Sequence, residues 1–334
     1  MALERLGWDA GWNKALREMG GRNLKPGRVV REHRGAWDVI TDAGEKTLKV
    51  PGSLRHRSAP LTLPAVGDWV ACDLKGRGHI QAVLPRRSLF VRKAAGLKAR
   101  PQAVAANVDV AFIVLGLDGD FNLRRLERYI AAVADSGAEA VVVLNKRDLD
   151  PEYLHRLDEA KDRVELTVVA TDAKEGQLES LRELVRPRTT VCLVGSSGVG
   201  KSTLLNRLMG SEVQKTAKVR DRDQRGRHTT THRELFALPN GALVIDTPGM
   251  RELHLWQDSG LERAFDDIAQ LAEGCEFGDC EHRTEPNCAV LAAVEAGTLD
   301  AERLESWRTL RGELNALAKQ REIDRRRSGR GRPR

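Results

Sequence analysis

Between about residues 28 and 92, apolar and polar side chains alternate in short runs: GRVVREH, AWDVITD, KTLKVPG, GDWVACDL, GHIQAVLP and SLFVRK. Gly, Pro and Asp separate them. Side chains two apart share one face of a strand, so a period of two predicts five or six short strands with no helix among them. That many short strands in so little chain point to a small β-barrel, with an OB-type barrel the leading candidate. After Arg100-Pro101 the period changes. DVAFIVLGL, EAVVVLN, VELTVVA, TTVCLVG, RELFAL and ALVIDTP read as strands. FNLRRLERYIAAVADSG, PEYLHRLDEAKD, QLESLRELV and KSTLLNRLMG read as helices between them. Strand and helix in alternation predict a doubly wound sheet with helices on both faces. From Leu261 the chain turns helical (LERAFDDIAQLAEG, CAVLAAVEAG, AERLESWRTLRGELNAL).

The pattern thus gives a multidomain α/β chain. An N-terminal extension covers 1–27 and ends at Pro26-Gly27. A barrel follows at 28–95, an α/β domain at 96–256, a helical unit at 257–318 and a tail at 319–334. Composition is that of a globular protein, with 41% hydrophobic and 31% charged residues. The N-terminus has charges and no apolar core, unlike a secretory signal, and no apolar run approaches the ~18 residues needed to cross a bilayer. A cytoplasmic chain with no membrane partner is expected. The net charge of +7 is uneven: QREIDRRRSGRGRPR holds seven Arg against Glu322 and Asp324, a net of +5. Such a tail is expected to be disordered, either to neutralise nucleic-acid phosphates or to keep the chain soluble. Of five cysteines, Cys72 and Cys192 lie in strand-like runs, whereas Cys275, Cys280 and Cys288 fall within fourteen residues beside His282. In a cytoplasmic protein that cluster suggests a metal before a disulfide. Three thiolates and an imidazole make a closed tetrahedral set; scattered loop cysteines are the alternative.

The clearest chemistry is Gly195-Ser196-Ser197-Gly198-Val199-Gly200-Lys201-Ser202, which fits G-x-x-x-x-G-K-[ST] between a strand and a helix. The glycines let successive N–H groups point inward at phosphate oxygens. Lys201 reaches the β- and γ-phosphates and Ser202 serves Mg²⁺. Downstream, ALVIDTPG ends a strand at Asp246, where a P-loop enzyme needs an acidic group behind Mg²⁺, and Gly249 frees a backbone N–H for a γ-phosphate. The polar stretch between them contains Thr229, Thr230 and Thr231. One of these, with Thr230 standing as the candidate, can join Ser202 on Mg²⁺ when GTP is bound, or the stretch simply begins a strand. Asn145-Lys146-Arg147-Asp148 follows a buried strand. A carboxylate at Asp148 accepts the adjacent N1–H and N2–H₂ donors of guanine, Lys146 can lie across the base, and Asn145 can brace the loops. VVATDAKEG ends the next strand, where GTPases carry a second base-contacting loop, with Ala170-Thr171 in place of the usual Ser-Ala.

Base loop, second base loop, P-loop, threonine segment and DTPG keep the cyclic order of a GTPase but start elsewhere. The chain therefore reads as a circular permutation, which folds tolerate where natural termini lie close together.

Together, the barrel, NKRD, GSSGVGKST, RHTTTH, DTPG and the C-x₄-C-x-H-x₅-C cluster closely resemble the circularly permuted, ribosome small-subunit-dependent GTPases of RsgA/YjeQ type, over roughly residues 28–320. PAVGDWV and FNLRRLERYI belong to the same likeness. The resemblance implies an OB-fold, a permuted GTPase domain and a helical zinc-binding domain. It implies weak GTP hydrolysis to GDP, stimulated by the small (30S) subunit in its late maturation. It also implies GTP/GDP with Mg²⁺, one Zn²⁺, and the small ribosomal subunit and its rRNA as partners of a monomer. Carried over by position, Asn145, Lys146, Arg147 and Asp148 read guanine, Gly195 to Thr203 hold phosphates, and Cys275, Cys280, His282 and Cys288 bind zinc. His228 stands where the family has a histidine proposed to orient water, since Met250 replaces the usual Gln after the DxxG glycine; capping the switch is its alternative role. Two other readings fit the residues: an RNA-binding assembly module with GTP as a structural ligand, or a permuted GTPase acting on another RNA.

Overall fold

The computed structural model of the chain describes residues 2–20, 23–52, 61–93, 101–176, 178–210, 233–246, 255–256 and 258–329. His228, Thr229, Thr230, Thr231, Gly249 and Met250 lie outside the described residues. The N-terminal extension forms two short helices, α1 (Ala2–Arg5) and α2 (Ala10–Glu18), the second capped by Asp9, whose carboxylate accepts the Trp12 N–H. The extension does not end at Pro26-Gly27 as the sequence predicts. Both residues lie inside the first strand, β1 (Lys25–Glu32), opposite Ala71 and Val70 of its neighbour. Pro at the second position of a strand leaves most of the ladder intact.

β1, β2 (Trp37–Thr41), β3 (Gly44–Leu48), β4 (Trp69–Asp73) and β5 (His79–Val83) pair antiparallel in the order β3-β2-β1-β4-β5. The Ile80 N–H donates to Lys49 O at 2.9 Å, tying β5 back to the end of β3. Inside, Val29, Trp37, Val39, Leu48, Val70, Cys72 and Ile80 form one apolar cluster. Alternate residues such as Trp37 and Val39, or Val70 and Cys72, share this face, as the period of two predicts. Next, β6 (Leu89–Lys93) and β7 (Pro101–Ala106) make a separate antiparallel pair. The 95/96 division expected from the change of pattern falls between these two strands.

β8 (Val110–Gly116), β9 (Glu139–Asn145), β10 (Thr167–Ala170), β11 (Thr190–Val194) and β13 (Leu243–Asp246) form a parallel sheet in the order β10-β9-β8-β11-β13. β12 (Glu234–Ala237) pairs antiparallel on its edge. Alternate residues of β8 feed opposite faces. Ala111, Ile113 and Leu115 meet Leu126, Tyr129 and Val133 of helix α3 (Leu123–Ser136). Phe112 and Val114 belong to the second core, with Leu181 of α5 (Glu179–Leu184) and Leu204 and Leu205 of α6 (Lys201–Met209). Helix α4 (Tyr153–Arg163) covers the first face through Leu157 and Ala160. α3 is capped by Asn122 and stops at Gly137, whose φ of 85° makes the left-handed turn for which glycine is suited.

The barrel and this sheet are one ladder rather than two separate sheets. β12 pairs with β1 through Glu234 and Arg31, reinforced by the Arg31–Glu234 ion pair and by Arg233 to Glu32 at 2.9 Å.

The C-terminal unit comprises α7 (Asp258–Ala264), α8 (Asp266–Ala272), α9 (Ala289–Glu295) and α10 (Ala301–Gly329). LERAFDDIAQLAEG, predicted as one helix, is broken at Phe265, which leaves helical geometry and is fully buried. Residues 319–329, expected to be a disordered tail, are a continuation of α10. Leu304, Leu310 and Leu314 anchor the helix in the C-terminal core, and each further turn then costs little. The Arg321 guanidinium lies 4.2 Å from the Trp256 ring, while Gln320–Asp324 and Glu322–Arg326 pair one turn apart.

Helix α3 also carries the junction to the C-terminal unit. Glu127, 1% exposed, faces Arg303 Nη1 at 3.1 Å and Arg163 Nε at 3.4 Å. Burial pushes its carboxyl above the usual range, against the opposing pull of Ser306, Arg163 and Arg303. Replacing one member of a buried pair strands the other. Glu127→Ala is expected to destabilise the chain by about 3 kcal/mol, the lower end of that class of effect. Arg163 and Arg303 keep Asp300 and Asp267, which limits the loss. Urea unfolding followed by circular dichroism measures it, and an unchanged midpoint would contradict the assignment.

Candidate nucleotide site and cysteine–histidine cluster

At the C-terminal ends of the parallel strands, the turn from β11 into α6 is built from residues 195–200. Gly195 and Gly200 take φ values of 144° and 98°. A Cβ at Gly195 would lie 2.2 Å from Val114 O, and one at Gly200 would lie 2.2 Å from the Asn145 amide nitrogen. Both positions therefore demand glycine on conformational and steric grounds. Val199 is buried, whereas Ser197 and Gly198 are exposed. Lys201 folds over the loop and donates to Gly195 O at 2.8 Å and to Ser196 O. Ser202 and Thr203 stand in the first turn of α6, whose Gly200 cap offers no side chain to its leading N–H groups.

The NKRD segment follows β9. Asn145, 1% exposed, bridges two loops: its amide donates to Val199 O at 2.7 Å, and its carbonyl accepts the Ala173 N–H at 2.9 Å. Its backbone carbonyl takes the Leu117 N–H at 2.9 Å. One buried side chain thus joins the base-loop candidate, the second-loop candidate and the P-loop. Lys146 adopts a left-handed conformation (φ 65°) and pairs with Asp118. Arg147 and Asp148 are exposed in a 3-10 turn over Arg147–Leu149. Asp246 ends β13, one step past the Cys192–Ile245 pair, on the strand beside β11. Of the residues singled out in the sequence for this site, His228, Thr230 and Gly249 fall outside the described residues.

Three neighbours escaped sequence reasoning. Asp118, in GLDGD, holds Lys146. Arg125, at the start of α3, donates to Ser196 Oγ at 3.1 Å and pairs with Asp120. Arg207, near the end of α6, donates to the carbonyls of Ala173, Lys174 and Gly176 and straps down the second loop. Within GLDGD and FNLRRLERYI, nothing marks which charge turns toward the P-loop.

The cysteine–histidine cluster lies between α8 and α9. The ligand atoms of Cys275, Cys280, His282 and Cys288 all lie within 4.8 Å of one another. Cys275 Sγ is 3.8 Å from Cys288 Sγ and 3.6 Å from His282 Nδ1, which is 3.4 Å from Cys288 Sγ. A tetrahedron with Zn–S near 2.3 Å and Zn–N near 2.0 Å has edges of about 3.5–3.8 Å, so this donor set fits Zn²⁺ in both geometry and softness. His282 is aimed by an unusual backbone (φ 56°), by Arg308, which donates to its carbonyl, and by the Trp307 ring 5.2 Å away. Burial pushes its imidazole below the ordinary value, favouring the neutral, ligating form. Burial acts to raise the Cys275 thiol, but the N–H groups of Val290 and Ala289 together with the neighbouring Cys288 and Cys280 leave it lowered, whereas burial pushes Cys280 up to about 12.

The sequence of residues 83–256, half of the chain, matches the RsgA GTPase family model. The chain belongs to the RsgA GTPase family. A relative from Opitutus terrae named as a small ribosomal subunit biogenesis GTPase is 46% identical, covering 94% of this chain and 90% of the relative. A second of the same name, from Syntrophotalea carbinolica, is 44% identical over 97% and 92%. Among solved structures, YjeQ from Thermotoga maritima aligns with a TM-score of 0.65 at 28% identity, covering 87% of this chain and 98% of that one. YloQ, described as a circularly permuted GTPase, aligns at 0.61 and 22% identity over 94% and 98%, a likeness of fold. The permuted order of loops read along the sequence agrees with that likeness of fold. Among the described residues no helix is long and apolar enough to cross a membrane.

Proposed function

We propose that this chain binds GTP between the Asn145–Asp148 loop and the 195–203 loop, and hydrolyses it to GDP and phosphate in the course of small ribosomal subunit maturation. The Asn145 bridge carries this reading, because it ties the loop after β9 to the 195–200 turn and to the loop at Ala173. Asp148 accepts the guanine donors, Lys146 lies along the base, and the backbone N–H groups from Gly195 to Thr203, with Lys201, bind phosphates. Ser202 and Thr230 would hold Mg²⁺, and Asp246 would support it. The metal would offset charge developing on the phosphates. His228 orients the attacking water. Cys275, Cys280, His282 and Cys288 hold one structural Zn²⁺.

The partner is the small subunit and its rRNA, supported by the relatives' names, the barrel and the basic C-terminal helix. The chain acts as a cytoplasmic monomer. GTP turnover is expected to be slow alone and to rise at least tenfold with purified 30S particles, the scale on which a partner completes an unfinished GTPase site. Phosphate release measured with and without particles tests this. Equal rates would leave a GTP-binding assembly module instead.

A further inference from the structure

A cavity of about 170 Å³ lies where the N-terminal extension, the barrel and the α/β sheet meet. Its sheet residues, Asp109, Arg188 and Thr190, precede β8 and begin β11, at the edge opposite the P-loop. Ligands of open α/β sheets bind at the carboxyl ends of the strands, so this is not part of the nucleotide pocket.

Three arginines line the cavity: Arg28, Arg87 and Arg188. Arg28 is 2% exposed, and among the described residues no carboxylate lies within ion-pairing distance of it. Its Nη atoms make only long contacts, 3.2 Å to Thr190 Oγ1, 3.3 Å to Asn107 O and 3.4 Å to Leu6 O, and its Nε has no hydrogen-bond partner. One face of the guanidinium is covered by the Trp69 ring at 4.8 Å. Burial pushes Arg28 down to about 10, still charged near neutrality. A buried charge of this kind is expected to have a counter-charge. Asp9 pairs with Arg87 at 2.7 Å, while Asp109, whose carboxylate accepts the Thr190 N–H at 2.7 Å, and Asp68 attract Arg28 from beyond ion-pairing distance. Arg188 is exposed at the rim in a left-handed backbone (φ 67°) and forms no ion pair among the described residues. With three arginines against two carboxylates, the lining carries a net charge of +1. Trp8 and Trp12, both packed on Trp69, wall one side of it.

We propose that this cavity binds one tetrahedral phosphate oxyanion, held between Arg28 at its base and Arg188 at its rim. A guanidinium presents a planar fork of donors suited to two phosphate oxygens, and the volume admits one such group with a few waters. The phosphate is either a free anion or one unit of a nucleic-acid backbone, and the chemistry of recognition is the same for both.

The test uses the full chain saturated with GDP and Mg²⁺, so that the P-loop is filled. Inorganic phosphate is titrated by calorimetry at constant ionic strength against a chloride control. One saturable site per chain is expected. Arg188→Ala should weaken it about tenfold, the worth of one charge-assisted hydrogen bond, and Arg28→Met should abolish it. Arg188 is exposed and bears no packing, so its variant decides the matter even if Arg28→Met fails to fold. No saturable binding, or equal affinity in wild type and Arg188→Ala, overturns the proposal. GDP affinity measured in the same series reports separately on the nucleotide site. A second arm titrates a single-stranded oligoribonucleotide lacking terminal phosphates. If the source is a backbone, free phosphate competes with it and Arg188→Ala lowers the salt dependence by about one counterion. If the source is a free anion, RNA affinity is the same in both proteins.

Discussion

Asp148→Asn is expected to lower affinity for GTP by about four orders of magnitude, roughly 5.5 kcal/mol, and to raise affinity for xanthosine triphosphate. A carboxylate offers two acceptors to the adjacent N1–H and N2–H₂ of guanine. An amide replaces one acceptor by a donor, which faces an N–H in guanine but a carbonyl oxygen in xanthine. The loss is large because the mismatched groups are left unpaired against the protein rather than returned to water. The substitution is clean, since Asp148 is exposed in its turn and supports no core residue. Thermal stability should therefore be unchanged, and competition with a fluorescent guanine nucleotide gives both affinities. Unaltered GTP binding would remove Asp148 from the base site and with it the pocket proposed between residues 145 and 203.

The second large effect is expected at Cys288. Its thiol has two roles: a donor in the four-residue cluster, and the cap of α9, where it accepts the Leu291 N–H at 3.5 Å. Serine is a good helix cap but a poor zinc ligand. Cys288→Ser thus preserves the start of the helix and removes one metal bond. Structural zinc contributes about 10–16 kcal/mol in small zinc-dependent folds, and a three-donor remnant retains only part of it. Here α7–α10 also have an apolar core that includes Phe265, Ile268, Val290 and Leu304. The expected outcome is therefore a fall from one zinc per chain to nearly none, with early melting of this unit, while nucleotide binding in the α/β domain persists. A colorimetric zinc assay on the denatured protein and a thermal melt read the two effects. Full zinc content in the serine variant would sink the assignment.

The parts of the molecule that depend on neighbours along the chain were legible. The period of two gave the barrel strands, and the alternation of periods gave β8 to β13 and the helices between them; in the C-terminal unit the break at Phe265 was not legible. G-x-x-x-x-G-K-S identified its own turn because that turn needs glycine at Gly195 and Gly200 whatever surrounds it. The cysteine–histidine spacing was also readable, and the folded chain gathers its four donors. The helical course of residues 319–329 was not. Arginine density argues for a solvated segment, but a helix already anchored at Leu314 continues through such a segment at little cost.

By itself the sequence determined which chemical groups are present, in which loops, and in what permuted order, because glycine turns, strand period and ligand spacing act over a few residues. Only the tertiary structure decided which of those groups meet. Asn145 was readable as a loop brace, but its choice of Val199 and Ala173 depends on β9 and β11 both flanking β8. The union of barrel and sheet through Arg31 and Glu234, the burial of Glu127 between Arg163 and Arg303, and the contact of Arg28 with Thr190 likewise join residues many tens to two hundred positions apart. Periodicity along a chain says which face of an element is apolar, not which distant element will cover it. That choice is made by packing and by strand register.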